Sequence, residues 1–406
     1  MSFTDRFGEI SGSGAAATAI AFLATLIVAH TAFAQTETIL VNLQNDAVGY
    51  SASEGVAFDS SGNLYGVTGY GGGDGSGAIF EMSPAGGGTW SAPVVLLDVA
   101  GRPESPLFVD ASRNIFTTAT FLGPGLEGGV YELSHGGGGW TQEVLYEFLR
   151  TKDARSPWSN VVFDSSGNLY GTAQFGPTHP GIGAVYELSP TESGEWKESL
   201  PYVGGPAYGV APEWVAVTPS GNLYVATLYG GAHQGGVVFQ LTPSAEGWTP
   251  SVMYAFPAGS SPCCLTLDAS GDVYGTTFTG GLYGAGTVFR LKKTASGGWG
   301  LQTLHSFGSG SDGNQPAFSV PVFDSAGNLY GTTFYGGSDG IGVVYKLSPG
   351  SGANWTETIL HNFMNDGVDG NTPMGGVAFG SDGNLYGTTV YGGLNGDGVV
   401  YELTLD

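Results

Sequence analysis

Positive charge and recognisable catalytic motifs are both scarce in this sequence. Of its 406 residues only 11 are Lys or Arg, against 35 Asp or Glu, so the formal net charge at pH 7 is −24. A surface this acidic repels phosphate backbones, and we expect no nucleic-acid partner. The sequence also lacks a Gly-x-Ser-x-Gly elbow, a His-Glu-x-x-His pair, a phosphate loop and a dinucleotide fingerprint. No established enzyme class is therefore indicated, and no cofactor is expected beyond a possible calcium ion.

Glycine and aromatic residues, in contrast, are abundant. The 72 glycines argue against helices, because each interior glycine costs roughly 1 kcal/mol relative to alanine. The 22 Phe, 20 Tyr and 8 Trp are too many for a disordered chain. The composition therefore predicts an all-β protein.

The first 34 residues read as an export signal. An apolar stretch at 15–29 is followed by Ala32-Phe33-Ala34, the small-x-small pattern that precedes a signal-peptidase cut. We predict a signal peptide over 1–34 and a mature domain over 35–406, secreted to the periplasm or the cell exterior. An uncleaved anchor helix is the alternative, and no further apolar stretch approaches the length of a membrane span.

One phrase recurs seven times along the mature chain: an apolar strand followed by a variant of Asp-x-x-Gly-Asn-Leu-Tyr-Gly-Thr-Thr. The intervals are 50 to 56 residues, and each unit contains four candidate strands, A to D. The repeated Asn position is occupied by Asn63, Asn114, Asn168, Asn222, Asp272, Asn328 and Asn384. Four strands per unit at this period predict a seven-bladed β-propeller with four antiparallel strands in each blade.

The two ends of the mature chain are complementary. Residues 36–43 resemble a strand D without its blade, since Thr-Glu-Thr-Ile-Leu also occurs at 356–360. The chain ends on a strand C at 399–405. Strand 36–43 is therefore predicted to complete the C-terminal blade, a velcro closure that removes exposed sheet edges. We expect a monomer.

The segments 327–347 and 383–403 carry the pattern Gly-Asn-Leu-Tyr-Gly-Thr-Thr-x-Tyr-Gly-Gly-x-x-Gly-x-Gly-x-Val-Tyr-x-Leu, allowing for substitutions. This pattern resembles the GloVer-type bacterial tandem repeat, and the A–B hairpin is similar to that of NHL-type propellers. The resemblance covers the whole mature chain and implies an exported propeller. It implies no known activity and no catalytic residues. Anchored members carry a C-terminal sorting segment, which we do not expect here.

Many repeated residues are interpreted as scaffold. Six tryptophans that open strand D and the tyrosines of strand B are expected to pack between blades. Aspartates such as Asp59 and Asp164, which precede the hairpin glycine, are expected to bond the turn backbone. His305 and His361 take a strand D position held elsewhere by tyrosine, and are expected in the core.

Propeller ligands usually contact the B–C loops and the D–A connectors around the central channel. Here the B–C loops are glycine-rich, nearly uncharged and aromatic, a surface suited to neutral glycans, although glycine alone can also simply permit tight turns. The candidate binding residues are Tyr70, Phe121, Phe175, Tyr229, Tyr283, Tyr335, Tyr391, Trp158 and Trp214.

Catalytic and metal candidates are few. Glu54 and Glu213 enter strand A in blades 1 and 4, on opposite sides of the ring, and could act as acid and base. His179 and His233 lie in B–C loops near Glu213 and could complete a metal site. The connectors around Asp366, Asp369 and Asp312 have a spacing loosely like calcium loops.

Cys263 and Cys264 are the only cysteines and are adjacent. In an oxidising compartment we favour a vicinal disulfide, with free thiols or exchange with a partner as alternatives. Taken together, the sequence favours a non-enzymatic binding protein for carbohydrate or protein ligands on the B–C loop face. A polysaccharide lyase or hydrolase and a structural surface protein are the alternatives.

Overall fold

The computed structural model describes residues 35–73, 75–99, 101–103, 105–121, 126–149, 152–177, 182–316, 318, 320–352 and 354–405. The predicted signal segment 1–34 lies outside the described residues. Strands form seven antiparallel sheets, each running from an innermost strand A to an outermost strand D. The predicted seven-bladed β-propeller is therefore confirmed.

Strands B are largely buried, whereas most strands A have only two or three residues and are partly buried. Strands A are Val56–Phe58, Phe108–Val109, Val162–Phe163, Val210–Val217, Pro262–Leu267, Val322–Phe323 and Ala378–Phe379. Strands B are Leu64–Thr68, Ile115–Ala119, Leu169–Phe175, Leu223–Tyr229, Val273–Thr277, Leu329–Thr333 and Leu385–Thr388.

The outer strands follow in the same order. Strands C are Ala78–Met82, Gly129–Gly136, Ala184–Pro190, Val237–Ser244, Thr287–Lys293, Val343–Pro349 and Val399–Leu403. Strands D are Val94–Asp98, Gly139–Glu147, Trp196–Val203, Gly247–Ala255, Trp299–Ser306, Trp355–Asn362 and Glu37–Asn42.

One extra strand and three short ladders are added to this four-stranded arrangement. Arg155–Pro157 pairs with strand B and gives blade 3 a fifth strand, which the four-strand pattern does not predict. Two short ladders each join a D–A connector to a B–C loop, and a third extends the C–D hairpin of blade 1. The ladder strands are Gly313–Asn314 with Tyr335–Gly336, Gly370–Asn371 with Tyr391–Gly392, and Pro84–Gly86 with Thr89–Trp90.

The ring closes between the two ends of the chain. Glu37–Asn42 pairs antiparallel with strand C of blade 7, with Glu37 opposite Leu403 and Asn42 opposite Val399. This strand is the D strand of the last blade, as predicted, and its bounds fall one residue inside 36–43. Leu43 is buried immediately after it.

The A–B hairpin is held by its aspartate. Asp59 Oδ1 accepts hydrogen bonds from the backbone N–H groups of Ser61 and Asn63, and its Oδ2 accepts one from the Tyr65 hydroxyl. The same bonds recur at Asp164. The expected structural role of these aspartates is therefore confirmed, and they are unavailable for chemistry.

Aromatic side chains join neighbouring blades. Tyr65 of blade 1 meets Trp140 of blade 2 edge-on, with ring centroids 5.9 Å apart, and Tyr170 meets Trp248 in the same way. The closing contact is Tyr386 of blade 7 with Trp90 of blade 1, at 5.5 Å. Such contacts add about 0.5–1.5 kcal/mol each beyond the area they bury, so the tryptophans stabilise the ring, as expected.

A glycine before strand C allows five of the blades to approach a proline of the next connector closely. Gly342 has φ +111°, and a Cβ there would lie 2.5 Å from Cδ of Pro373 in the following connector. Glycine is needed for the backbone conformation and for the close approach of proline. The described residues contain no helix of the length and apolarity that a membrane crossing requires.

Candidate functional site

The connectors that lead into strand A are tied to the B–C loop of the preceding blade. In blade 7, Thr372 has φ +59° and donates its N–H to the carbonyl of Ile341. Its own carbonyl accepts from Val390 at the end of strand B. Equivalent left-handed residues with the same donor bond are Ser51, Ser156, Ala211, Ser261 and Gln315. This repeated strained residue fixes the loops around the channel mouth.

Exposed aromatic rings lie on the B–C loops. Between 38% and 57% of the surface of six of the predicted binding residues is exposed, although burial would be favourable for such side chains. These residues are Tyr70, Phe121, Tyr229, Tyr283, Tyr335 and Tyr391. They lie in or beside the B–C loops of six blades, and we call these six side chains the aromatic rim.

A pocket of about 230 Å³ opens inside this rim, and both Tyr70 and Tyr391 line it. Glu54 and Arg102 provide its charges, and the Arg102 guanidinium lies 4.7 Å from the Tyr70 ring centre. The side chain of Trp158 also lines the pocket and forms what we call its indole wall. Aromatic walls with a few placed polar groups are typical of small-ligand sites.

Glu213 lies behind the indole wall and is not part of the pocket lining. It is only 7% exposed, and its Oε1 accepts a 2.8 Å hydrogen bond from Trp158 Nε1. Burial raises the pKa of Glu213 to about 8, and the nearby Cys263 and Glu54 add to this effect. Glu213 therefore holds a proton at neutral pH. The two glutamates, expected on opposite sides of the ring, are close enough across the channel for Glu54 to act on Glu213.

Two of the predicted binding residues are not on the rim. Trp214 is 9% exposed and packs in the core with Cys264 and Leu265, next to a bulge between Pro212 and Trp214. This placement corrects the prediction for Trp214. Phe175 is half-buried under the Arg155 guanidinium, 5.5 Å from its ring centre.

The expected His-His-Glu cluster does not form in the described residues. His233 is exposed and lies beside Tyr254 and Pro257, at the outer edge of blade 4. Glu213 is on the innermost strand of the same blade, so the two cannot share an ion. His179 lies outside the described residues.

Cys263 and Cys264 are buried free thiols in the structure, and the favoured vicinal disulfide is not formed there. The strand is irregular between Cys263 and Thr266, and Cys264 has φ +59°. Cys263 Sγ instead lies 3.4 Å from the Thr276 hydroxyl. Burial raises the pKa of the Cys264 thiol well above its usual value.

The aspartates with calcium-like spacing have separate roles. Asp366 is exposed, and its Oδ1 accepts the N–H groups of Val368 and Asp369 in a local turn. Asp369 and Asp312 are buried and face His361 and His305, at 3.1 and 3.0 Å. These two histidines, expected in an apolar core, are half-buried partners of carboxylates.

Sequence reasoning missed several of these residues. Arg102, Phe334 and Met374 line the pocket but occupy no repeated position that would single them out. Glu37 and Glu357, which approach the two histidines, did leave a signal. Both lie two positions after the repeated tryptophan, whose place Gln35 takes in blade 7, and the residue there is apolar or uncharged in four other blades.

Comparisons with solved structures support the fold. The chain is similar to virginiamycin B lyase from Staphylococcus aureus, with a TM-score of 0.52 and 12% identity over 92% of this chain and 99% of that chain. It is similar to a xyloglucanase from Xanthomonas campestris, with a TM-score of 0.52 and 14% identity over 90% of this chain and 53% of that one. A protein from Lactobacillus plantarum gives a TM-score of 0.51 and 16% identity over 83% and 88%. At these identities the likeness concerns the fold alone.

Sequence comparison gives the family. No curated protein matches the sequence. The model of the Gloeobacter/Verrucomicrobia repeat matches twice, over residues 14–200 and 211–406, and confirms the resemblance seen in the repeat. Because these two matches cover most of the sequence, the chain belongs to the Gloeobacter/Verrucomicrobia repeat family.

Proposed function

We propose that this protein is an exported carbohydrate-binding protein whose ligand contacts the aromatic rim and the pocket inside it. The observation that carries the proposal is the ring of exposed aromatic side chains on the B–C loops. Solvent-exposed aromatic residues gathered on one face of a soluble domain are typical of an interaction site.

The chemistry of the pocket favours a neutral sugar. Tyr70 and Tyr391 offer flat apolar faces, on which the C–H face of a sugar ring can stack. The carboxylate of Glu54 can accept hydrogen bonds from sugar hydroxyl groups, and the guanidinium of Arg102 can donate hydrogen bonds to them. The acidic net charge disfavours polyanionic ligands, including nucleic acids. We also propose that the protein is a monomer.

A glycan-array screen of the purified protein tests the proposal. We expect binding that Tyr391→Ala and Tyr70→Ala weaken at least tenfold, which corresponds to about 1.4 kcal/mol. Val252→Ala is the control, because Val252 is exposed on strand D of blade 4, outside the rim and the pocket. Unchanged affinity in the first two variants, or the absence of any bound glycan, would overturn the proposal. The second result would leave a protein ligand or a structural role.

A second candidate function is a lyase or hydrolase acting on a polysaccharide. The protonated Glu213 and the nearby Glu54 are an acid and a base on one channel. Because the Trp158 indole lies between Glu213 and the pocket, this function also requires Trp158 to move. The test is to incubate polysaccharides with the wild type and with Glu54→Gln and to measure released products. Release by the wild type alone, with binding retained in the variant, would favour the enzyme.

Export is the remaining part of the proposal. The apolar stretch and the Ala32-Phe33-Ala34 pattern support cleavage before Gln35. N-terminal sequencing of the protein recovered from the periplasm or medium tests it, and recovery of the full-length chain in the cytoplasm alone would contradict it.

A further inference from the structure

The boundaries between neighbouring blades, here called seams, hold polar clusters outside the channel. At two seams one histidine meets two carboxylates, and the three ligand atoms of each set lie within 4.8 Å of one another. The sets are His305, Asp312 and Glu357 between blades 5 and 6, and His361, Asp369 and Glu37 between blades 6 and 7. Each set draws its histidine and aspartate from one blade and its connector, and its glutamate from strand D of the next.

The spacing of these atoms fits a small tetrahedral ion. His361 Nε2 lies 3.1 Å from Asp369 Oδ2 and 3.6 Å from Glu37 Oε2. At the other seam the corresponding distances from His305 are 3.0 and 3.5 Å. Zinc bonds of about 2.0–2.1 Å in a tetrahedron place the ligand atoms about 3.3–3.4 Å apart. The two distances from each imidazole lie on either side of that value, and the two carboxylate oxygens of each set lie within 4.8 Å of each other.

Buried oxygens without a donor also point to a ligand. Asp369 Oδ1 and Glu37 Oε1 have no hydrogen-bond partner, and the Asp369 side chain is 4% exposed. Unsatisfied buried oxygens cost about 1–3 kcal/mol each, so a cation or a shared proton must balance them.

A third seam provides an internal comparison. Between blades 2 and 3 the equivalent residues are Tyr146, Asp153 and Glu198, with tyrosine in place of histidine. There the Tyr146 hydroxyl donates to Asp153, and the N–H of Ala154 donates to Glu198. Asp153 and Glu198 therefore have protein donors and keep no buried oxygen without a hydrogen bond. In the histidine seams Asp369, Glu37 and Glu357 each keep one such oxygen. The other Asp369 oxygen accepts the N–H of Met364, and Asp312 accepts the N–H of Gly313.

A glutamate at one repeated position of strand D is always accompanied by a buried aspartate in the connector of the preceding blade. A glutamate two positions after the repeated tryptophan, a place taken by Gln35 in blade 7, occurs in blades 3, 6 and 7 and in no other blade. Each of these blades follows a blade whose connector supplies a buried aspartate, namely Asp153, Asp312 or Asp369. The remaining blades carry Ala92, Gln142, Pro250 and Leu301 at that position. The carboxylates therefore occur in pairs across a seam.

We propose that the two histidine seams are binding sites for a divalent transition metal, with zinc as the best fit, and that each ion joins two neighbouring blades. One imidazole and two carboxylates suit zinc, and a water molecule would complete the tetrahedron. Calcium fits poorly, because it binds six to eight oxygen ligands, whereas each of these sets offers an imidazole nitrogen and two carboxylates. The site that includes Glu37 would bind the N-terminal strand to blade 6 and so reinforce the closure of the ring.

Metal analysis of the full protein tests the proposal. After removal of metals by a chelator and dialysis against zinc, we expect two zinc ions per chain and a midpoint of thermal unfolding several degrees higher. His361→Tyr should retain one zinc ion, and His305→Tyr combined with His361→Tyr should retain none and lose the thermal shift. Tyrosine is the chosen replacement because the seam of Tyr146 accommodates it.

Controls separate binding from damage to the fold. Tyr146→Phe should leave the stoichiometry at two, and Glu37→Gln with Glu357→Gln should lower it as the histidine variants do. Wild type that retains less than one zinc ion per chain would overturn the proposal and leave a shared proton in each seam. Full stoichiometry in the double histidine variant, with an unchanged circular dichroism spectrum, would also overturn it.

Discussion

Glu213→Gln should make the protein lose less stability than the wild type between mildly acidic and mildly alkaline pH. In the folded protein the pKa of Glu213 is raised by burial from 4.5 to about 8. The folded state therefore binds a proton that the unfolded state has released over this interval. Stability from this group is fully present below pH 4.5 and is lost as the pH rises towards 8.

The magnitude follows from the shift. One pKa unit corresponds to about 1.4 kcal/mol, so the titration of Glu213 costs roughly 3–4 kcal/mol between pH 5 and pH 8. Glutamine is uncharged, has nearly the same shape and can still accept the hydrogen bond from Trp158 Nε1. The variant should therefore gain stability relative to wild type by about that amount over the same interval.

Denaturant unfolding followed by tryptophan fluorescence at pH 5, 6, 7 and 8 measures this difference. Comparison with wild type at each pH removes the contributions of other buried carboxylates, such as Glu198 and Glu357, whose pKa values burial also raises to about 8. Glu246→Gln is the control, because Glu246 is exposed in a C–D hairpin. Parallel stability curves for wild type and Glu213→Gln would refute the assignment of a buried, protonated Glu213.

Three further changes test the scaffold. Gly342→Ala should lower the free energy of unfolding by at least about 2 kcal/mol, measured by denaturant titration, because the new Cβ meets Pro373 at φ +111°; a neutral effect would contradict the close packing. Asp59→Ala should cost about 2–4 kcal/mol in the same assay, since it removes the hairpin bonds and the 2.6 Å ion pair with Arg113; a loss below 1 kcal/mol would argue against this network. Deletion of 35–43 should expose the edge of strand C in blade 7 and give aggregates or a broad transition in size-exclusion and melting experiments; a monomer with wild-type cooperativity would contradict velcro closure.

Local features of the scaffold could be predicted from the sequence because they depend on neighbouring residues. The Asp59 hairpin needs only an aspartate, a glycine and a tyrosine at fixed spacing, and the structure forms it as predicted. The partnership of Glu37–Asn42 with the last strand C could be inferred because the same Thr-Glu-Thr-Ile-Leu phrase occurs within a complete blade.

The site was only partly predictable, because strand irregularities and distances across the ring leave no sequence pattern. The bulge between Pro212 and Trp214 interrupts the regular pairing of this strand. The sequence pattern therefore does not show that Trp214 packs in the core or that Glu213 accepts a hydrogen bond from Trp158. A similar irregularity after Cys263 separates the cysteine pair from regular strand geometry.

The sequence by itself determined the number of blades, the order of their strands and the way the ring closes, since each follows from a repeat of about fifty residues. Tertiary structure alone decided which residues of different blades meet. The approach of Glu54 to Glu213, the pocket between Tyr70 and Tyr391 and the contact of His361 with Glu37 all join residues that are distant in sequence. Their distances depend on the curvature of the closed ring, to which every blade contributes and which no single repeat encodes.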